Sequence, residues 1–151
     1  MSDHTSDHTA EILLVEDNPN DLELALHALR KRKVTNHIQV ARDGAEALDY
    51  LFAEGQYAAR DVRQTPNVIL LDLKLPLVDG LEVLARVKAD PRTRHVPVVV
   101  LTSSREERDL VESYQMGVNS YIVKPVNFEQ FTAAIEQLEL YWVLLNERPK
   151  V

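Results

Sequence analysis

Four short stretches of this chain are apolar throughout, and each stops abruptly at a side chain that can do chemistry. Ile12-Leu13-Leu14-Val15 runs into Glu16 and Asp17, Val68-Ile69-Leu70-Leu71 into Asp72, Val98-Val99-Val100-Leu101 into Thr102, and Tyr121-Ile122-Val123 into Lys124 and Pro125. A fifth stretch, 37–41, alternates apolar and polar residues. Between them lie segments with helical spacing: Leu22, Ala25, Leu26 and Leu29; a helix begun at Asp43; Leu81, Val83, Leu84 and Val87 behind Asp79-Gly80; a helix capped by Ser104; and a last helix from about Asn127 to Leu145. Strand and helix therefore alternate five times, which predicts an α/β fold, a parallel sheet with helices on both faces. The flavodoxin-like doubly wound order 2-1-3-4-5 places strands 1 and 3 side by side at the switch point, where such sheets bind ligands beyond the strand ends. Glu16, Asp17 and Asp72 then converge. The expected strands run from near Glu11, over 67–71, 96–101 and 119–123, and Gly117 is expected to close the fourth helix.

Length and composition narrow the options. A chain of 151 residues, 45% of them hydrophobic, can bury one sizeable core, so one domain over 11–145 is expected. The net charge of −7 argues against nucleic acid as a partner. Cysteine is absent, which suits a reducing cytoplasm and removes thiol chemistry. No apolar run approaches the ~20 residues that cross a membrane, and no signal peptide pattern opens the chain. Residues 1–10 repeat Ser-Asp-His-Thr; His4 and His8 could share a helix face, but the segment reads as a disordered polar tail. Residues 146–151 read as a C-terminal tail, too short for an output domain. The segment 54–66 has no clear periodicity, and long connections of that kind are often functional.

Three crowded carboxylates stay ionised only beside a cation. An oxygen-only donor set suits Mg2+, which keeps several of its own waters. Lys124 adds an ammonium and Thr102 a hydroxyl. That combination suits a phosphoryl group carried on a carboxylate. Asp72, at the end of the central strand, is the expected acceptor; Asp17 and Glu16 hold the ion, Asp17 the more directly.

With these motifs in order, the acidic pair Glu16-Asp17, Asp72 with Pro76 and Gly80 behind it, Thr102, and Lys124-Pro125, the chain resembles the receiver domains of two-component response regulators over residues 11–145. The resemblance implies phosphorylation of Asp72 by a histidine kinase with Mg2+. It implies a metal contact from the Lys74 backbone carbonyl, a cis Lys124-Pro125 peptide, and Thr102 with Tyr121 as a switch pair. The 54–66 segment and the long apolar last helix resemble the small receivers that partner bacterial and cyanobacterial phytochromes. His27, His37 and His95 have no partners at motif spacing and read as structural or exposed.

On the last helix, Phe128, Phe131, Ile135, Leu138, Trp142 and Leu145 form one stripe, expected to pack on the sheet. At about 100° per residue, Leu140, Val143 and Leu144 fall opposite. With Tyr141 they are the expected interface of a homodimer. Two other functions compete. A phosphatase of the haloacid-dehalogenase type wants a second Asp two residues after the nucleophile, where this chain has Lys74. A flavodoxin-like nucleotide or flavin binder wants a Gly-rich or Ser/Thr-rich loop after the first strand, where this chain has Glu-Asp-Asn-Pro. The favoured reading is a phosphorylatable signalling module whose output is a protein contact and whose chemistry is confined to itself.

Overall fold

The structure, a computed structural model, describes residues 11–31, 37–75, 79–140 and 143–144. Five strands, β1 (Glu11–Val15), β2 (His37–Ala41), β3 (Val68–Asp72), β4 (Val98–Thr102) and β5 (Ser120–Val123), alternate with five helices, α1 (Pro19–Lys31), α2 (Gly44–Phe52), α3 (Gly80–Ala89), α4 (Arg105–Ser113) and α5 (Phe128–Gln137). The strands form one parallel sheet in the order β2-β1-β3-β4-β5. The flavodoxin-like expectation holds.

Because successive strand residues point to opposite faces, the apolar runs feed two cores. Ile12, Leu14, Val68, Leu70, Val99 and Leu101 meet Leu22, Ala25 and Leu29 of α1 and Phe131 and Ile135 of α5. Leu13, Val15, Ile69, Leu71, Val98 and Val100 meet Leu48 and Leu51 of α2, Val83, Leu84 and Val87 of α3, and Val111 of α4. A strand covered on both faces must be apolar at every position. Its first polar residue therefore marks the edge of the covered layer.

Helix starts follow the expected chemistry. Asp43, Asp79, Ser104 and Asn127 each accept an amide hydrogen bond in the first turn of α2, α3, α4 and α5. Helix ends do not. The fourth helix stops at Ser113, four residues short of Gly117, and Gln115 already takes a left-handed backbone (φ 52°). The last helix stops at Gln137 instead of running to Leu145. Glu139 reverses the chain at φ 61°, and the Leu140 amide donates back to the Ile135 carbonyl at 2.8 Å. That backward bond closes the helix.

The reversal overturns the expected interface. Leu144, whose amide donates to the Leu140 carbonyl, is fully buried in the α1/α5 core, and Leu140 packs half-buried against it. Projecting 100° per residue past the reversal put both on the wrong side. Of the expected interface residues, Val143 is exposed; Tyr141 lies outside the described residues, as do Trp142, Leu145 and Pro76.

The 54–66 segment is not structureless. It carries a 3-10 turn at Gly55–Tyr57 and is clasped to α2 and the sheet margin. The Tyr50 hydroxyl donates to Glu11 at 2.5 Å and the Tyr57 hydroxyl to Glu46 at 2.6 Å. The two rings meet edge to face at 5.0 Å, and Arg60 lies 3.8 Å over the Tyr50 ring while donating to the Tyr50 and Gln64 carbonyls.

Candidate functional site

The strand register brings the chemistry together. Val15 is paired with Leu71, so Glu16 emerges level with Asp72; Asp72 is paired with Leu101, so Thr102 lies one residue further along the neighbouring strand. Lys124 follows β5, its amide donating to the Thr102 carbonyl at 2.7 Å. Glu16 and Asp72 are buried, Asp17 half-buried, and one carboxylate oxygen from each lies within 4.8 Å of the others.

The loop after β3 is held close by Gly80. A β-carbon there would sit 2.5 Å from the Asp72 carbonyl oxygen and 2.5 Å from Leu73 Cα, so only glycine lets α3 begin against the strand end. The Gly80 amide donates to the Leu73 carbonyl, and the Lys74 amide donates to Asp72 Oδ1 at 3.2 Å. The Lys74 ammonium points outward and lies 3.8 Å from Glu107 at the start of α4. The Lys124-Pro125 peptide is cis, as the family resemblance implied.

Three carboxylates share the Lys124 ammonium: Asp21 Oδ2 at 3.0 Å, Asp72 Oδ2 at 3.2 Å and Glu16 Oε1 at 3.4 Å. Burial alone would push the ammonium down, but Asp21, Asp72 and Glu16 outweigh it and hold the group above the usual lysine range. Glu16 moves the other way for a carboxylate. Burial, then its hydrogen bond with Asp72 and the charge of Asp72, lift it to about 8, against the opposing Asn18 amide and Lys124. One lysine does not satisfy this pocket.

The donor set fits a hard divalent cation. It is all oxygen, it is gathered, and it is short of positive charge. Thr102 adds a second sign of an awaited group. Its hydroxyl is fully buried and has no hydrogen-bond partner among the described residues. A buried donor left unmade costs free energy, and such orphans need a reason.

Of the expected site residues, Glu16, Asp17, Asp72 and Lys124 are brought together, with Thr102 beside them. Tyr121 is not at the pocket: it pairs with Val100 further back on β5, half-buried, with Arg108 of α4 5.2 Å over its ring. There it lines a cleft of about 420 Å3 with Arg108, Glu112, Gln130, Ala134 and Gln137. Sequence reasoning missed Asp21. The available signal was its place in the first turn of the helix leaving β1, at the same edge of the sheet.

Comparison with known proteins agrees with this geometry. Residues 12–136 match the response regulator receiver domain family. The chain is 44% identical to the probable methanogenesis regulatory protein FilR2 of Methanothrix harundinacea, over 91% of this chain and 86% of that one. It is 38% identical to the response regulator Rcp1 of Synechocystis, over 95% of each. A solved Mn2+-bound form of Rcp1 superimposes with a TM-score of 0.70 at 37% identity, covering 93% of this chain and 99% of that one. The solved bacteriophytochrome response regulator AtBRR matches with a TM-score of 0.85 at 60% identity, over 92% of this chain and 99% of that one. No helix among the described residues is long and apolar enough to cross a membrane. A sheet that delivers an acidic cluster, a lysine and an orphan hydroxyl to one edge, together with a family match over most of its length, shows that this chain belongs to the response regulator receiver domains, signalling modules that work with histidine kinases.

Proposed function

We propose that Asp72 is the phosphoacceptor of a two-component phosphorelay and that the chain signals through protein contact. The observation that supports this most directly is Asp72 itself: a buried carboxylate at a strand end, 3.2 Å from the Lys124 ammonium and crowded by Glu16. An Oδ atom of Asp72 attacks phosphorus, the P–N bond to the kinase histidine breaks, and the imidazole leaves with the electron pair and takes up a proton. Lys124 faces the phosphoryl oxygens and the Thr102 hydroxyl donates to one of them. Asp17, Glu16, Asp72 and the Lys74 carbonyl would hold Mg2+, which when bound would supply positive charge to the site.

The new charge of about −1.5 to −2 draws Thr102 inward, and Tyr121 turns in from under Arg108. This changes the cleft between α4, β5 and α5, which offers the downstream protein its cue. The chain's own chemistry stops at gain and loss of this phosphoryl group, so it is not an enzyme acting on other molecules. The similarity to the bacteriophytochrome response regulator AtBRR supports a phytochrome-type kinase as donor, with residues 11–145 as the receiver and the cytoplasm as its proposed setting. The homodimer expectation stands without the Leu140–Leu144 face that motivated it, and sedimentation at micromolar concentration decides it.

The test is labelling with acetyl phosphate and Mg2+. The wild type should take up one hydroxylamine-sensitive phosphoryl group and Asp72→Asn none. Equal labelling of the Asn variant would remove the assignment.

A further inference from the structure

The acidic pocket contains a carboxylate that the phosphoacceptor reading leaves without a task. Asp21 lies closer to the Lys124 ammonium than either buried carboxylate does, 3.0 Å against 3.2 Å for Asp72 and 3.4 Å for Glu16. Glu16 and Asp72 belong to the set gathered for a divalent cation; Asp21 does not. Its backbone is pinned independently, its amide donating to the Asn18 side chain at 2.9 Å in the first turn of α1. Its side chain is 30% exposed and that of Lys124 15%, so the pair closes the pocket at its water-facing side.

The three partners of Lys124 are not equivalent once the site is loaded. Positive charge bound to Glu16 and Asp72 takes up their negative charge and repels the ammonium. Lys124 then keeps one carboxylate that the cation has not claimed. We propose that Asp21 is a positioning residue for phosphoryl transfer: it holds the Lys124 ammonium in the pocket while the cation occupies the other carboxylates, so that the lysine already faces the incoming phosphoryl oxygens.

This rests on Asp72 being the acceptor. It also makes Asp21 useful before phosphorylation: an ammonium tethered by Asp21 leans less on Glu16 and Asp72, leaving them to the cation. Losing the tether should therefore weaken cation binding as well as slow the transfer. A residue that only favours the positive end of α1 would do neither through Lys124.

The experiment is a double-mutant cycle on the full chain with Asp21→Asn and Lys124→Met, and Asp21→Glu as the conservative variant. Mg2+ affinity is read by calorimetry without phosphodonor, and the labelling rate is read with acetyl phosphate at saturating Mg2+. In the wild-type background, Asp21→Asn should slow labelling about tenfold and weaken Mg2+ binding about threefold, effects of the size contacting residues show in such cycles. Asp21→Glu should recover most of both. In the Lys124→Met background, Asp21→Asn should leave Mg2+ affinity unchanged. An equal loss of affinity in both backgrounds would overturn the proposal in favour of a role in α1 alone, and so would wild-type labelling and affinity in Asp21→Asn. If the wild type is labelled but not on Asp72, the phosphoacceptor reading falls and this inference with it; if it is labelled on Asp72 and the cycle shows no coupling, this inference alone falls.

Discussion

The two ends of β1 treat a carboxylate in opposite ways. Glu11 starts the strand and Glu16 follows its end. At the start, Glu11 receives the Tyr50 hydroxyl, and along the neighbouring strap Glu46 receives the Tyr57 hydroxyl. Each carboxylate there has its own neutral donor. Burial and these bonds push both phenols up, Tyr50 well beyond the usual range and Tyr57 to about 12. At the other end, Glu16, Asp72 and Asp21 share a single ammonium, and Glu16 is lifted far above an ordinary carboxylate. The strap is complete as it stands, and its polar groups stabilise one geometry. The pocket is short of positive charge and holds an orphan hydroxyl, so it gains by binding. Among the described residues two buried hydroxyls, those of Thr102 and Thr132, lack a partner, and the one beside the charge-poor carboxylates points to that cluster as the place for function.

The sharpest break of the pocket does not touch a charge. In Gly80→Ala the new β-carbon meets the backbone of Asp72 and Leu73 at 2.5 Å, and backbone cannot swing aside as a side chain can. Stability should fall by about 3 kcal/mol, the upper end of overpacking costs. Chemical denaturation measures it; a loss under 1 kcal/mol would mean that α3 can back away from the strand end.

Cation binding separates the two regions next. At a Mg2+ concentration 100 times its Kd, the wild type should gain about 2.7 kcal/mol against unfolding. Asp17→Asn should gain little at the same concentration, because one of the three gathered carboxylates is gone. Tyr50→Phe, in the strap, should respond to Mg2+ as the wild type does. A thermal melt with and without the ion checks all three, and a full shift in the Asp17 variant would move the metal elsewhere. Tyr50→Phe should itself cost about 1.5 kcal/mol, the lower end for a hydrogen bond to a charged group, since Glu11 keeps some access to water.

Much of this was legible in the sequence, for a definite reason. A strand buried on both faces writes its length as an unbroken apolar run, so its end is visible, and β-α alternation puts all such ends on one edge. Glu16, Asp17, Asp72, Thr102 and Lys124 could be named together on that logic. Helix ends were harder to read. Ala53, Gln115 and Glu139 all take left-handed backbones where helices stop, and none is the Gly or Asn that usually signals it. The misplaced Leu144 descends from Glu139. Asp21 was passed over for another reason: its place in the first turn of α1 marks the edge it lies on, but its partner Lys124 is 103 residues away and only the folded sheet edge joins them. The strap was unreadable because Tyr50, Tyr57 and Arg60 hold it through ring and carbonyl contacts that leave no periodic trace.

The smallest effect, and the one that sharpens the comparison most, belongs to Tyr57. Its hydroxyl donates to Glu46 and accepts from Gln39 at 3.3 Å, and its ring packs on Tyr50. Tyr57→Phe keeps the ring contact and removes only the hydroxyl, so it should cost about 1 kcal/mol, an ordinary net hydrogen bond. The pH dependence gives the argument its sign. The folded phenol is raised from 10.0 to about 12, by burial first and then by Glu46. A group raised on folding contributes stability that is fully present below its unfolded value and is lost as pH rises through the folded one. The wild type should therefore lose this contribution between pH 10 and 12, while at pH 7 it is intact. Tyr57→Phe has no such proton to lose. Its stability deficit relative to wild type should be largest near neutrality and should shrink across that alkaline window. Denaturation midpoints at pH 7, 10 and 11 measure the difference. A deficit that stays constant with pH would mean that the Tyr57 proton is not held by Glu46, and that the strap is fastened by Tyr50 and Arg60 alone.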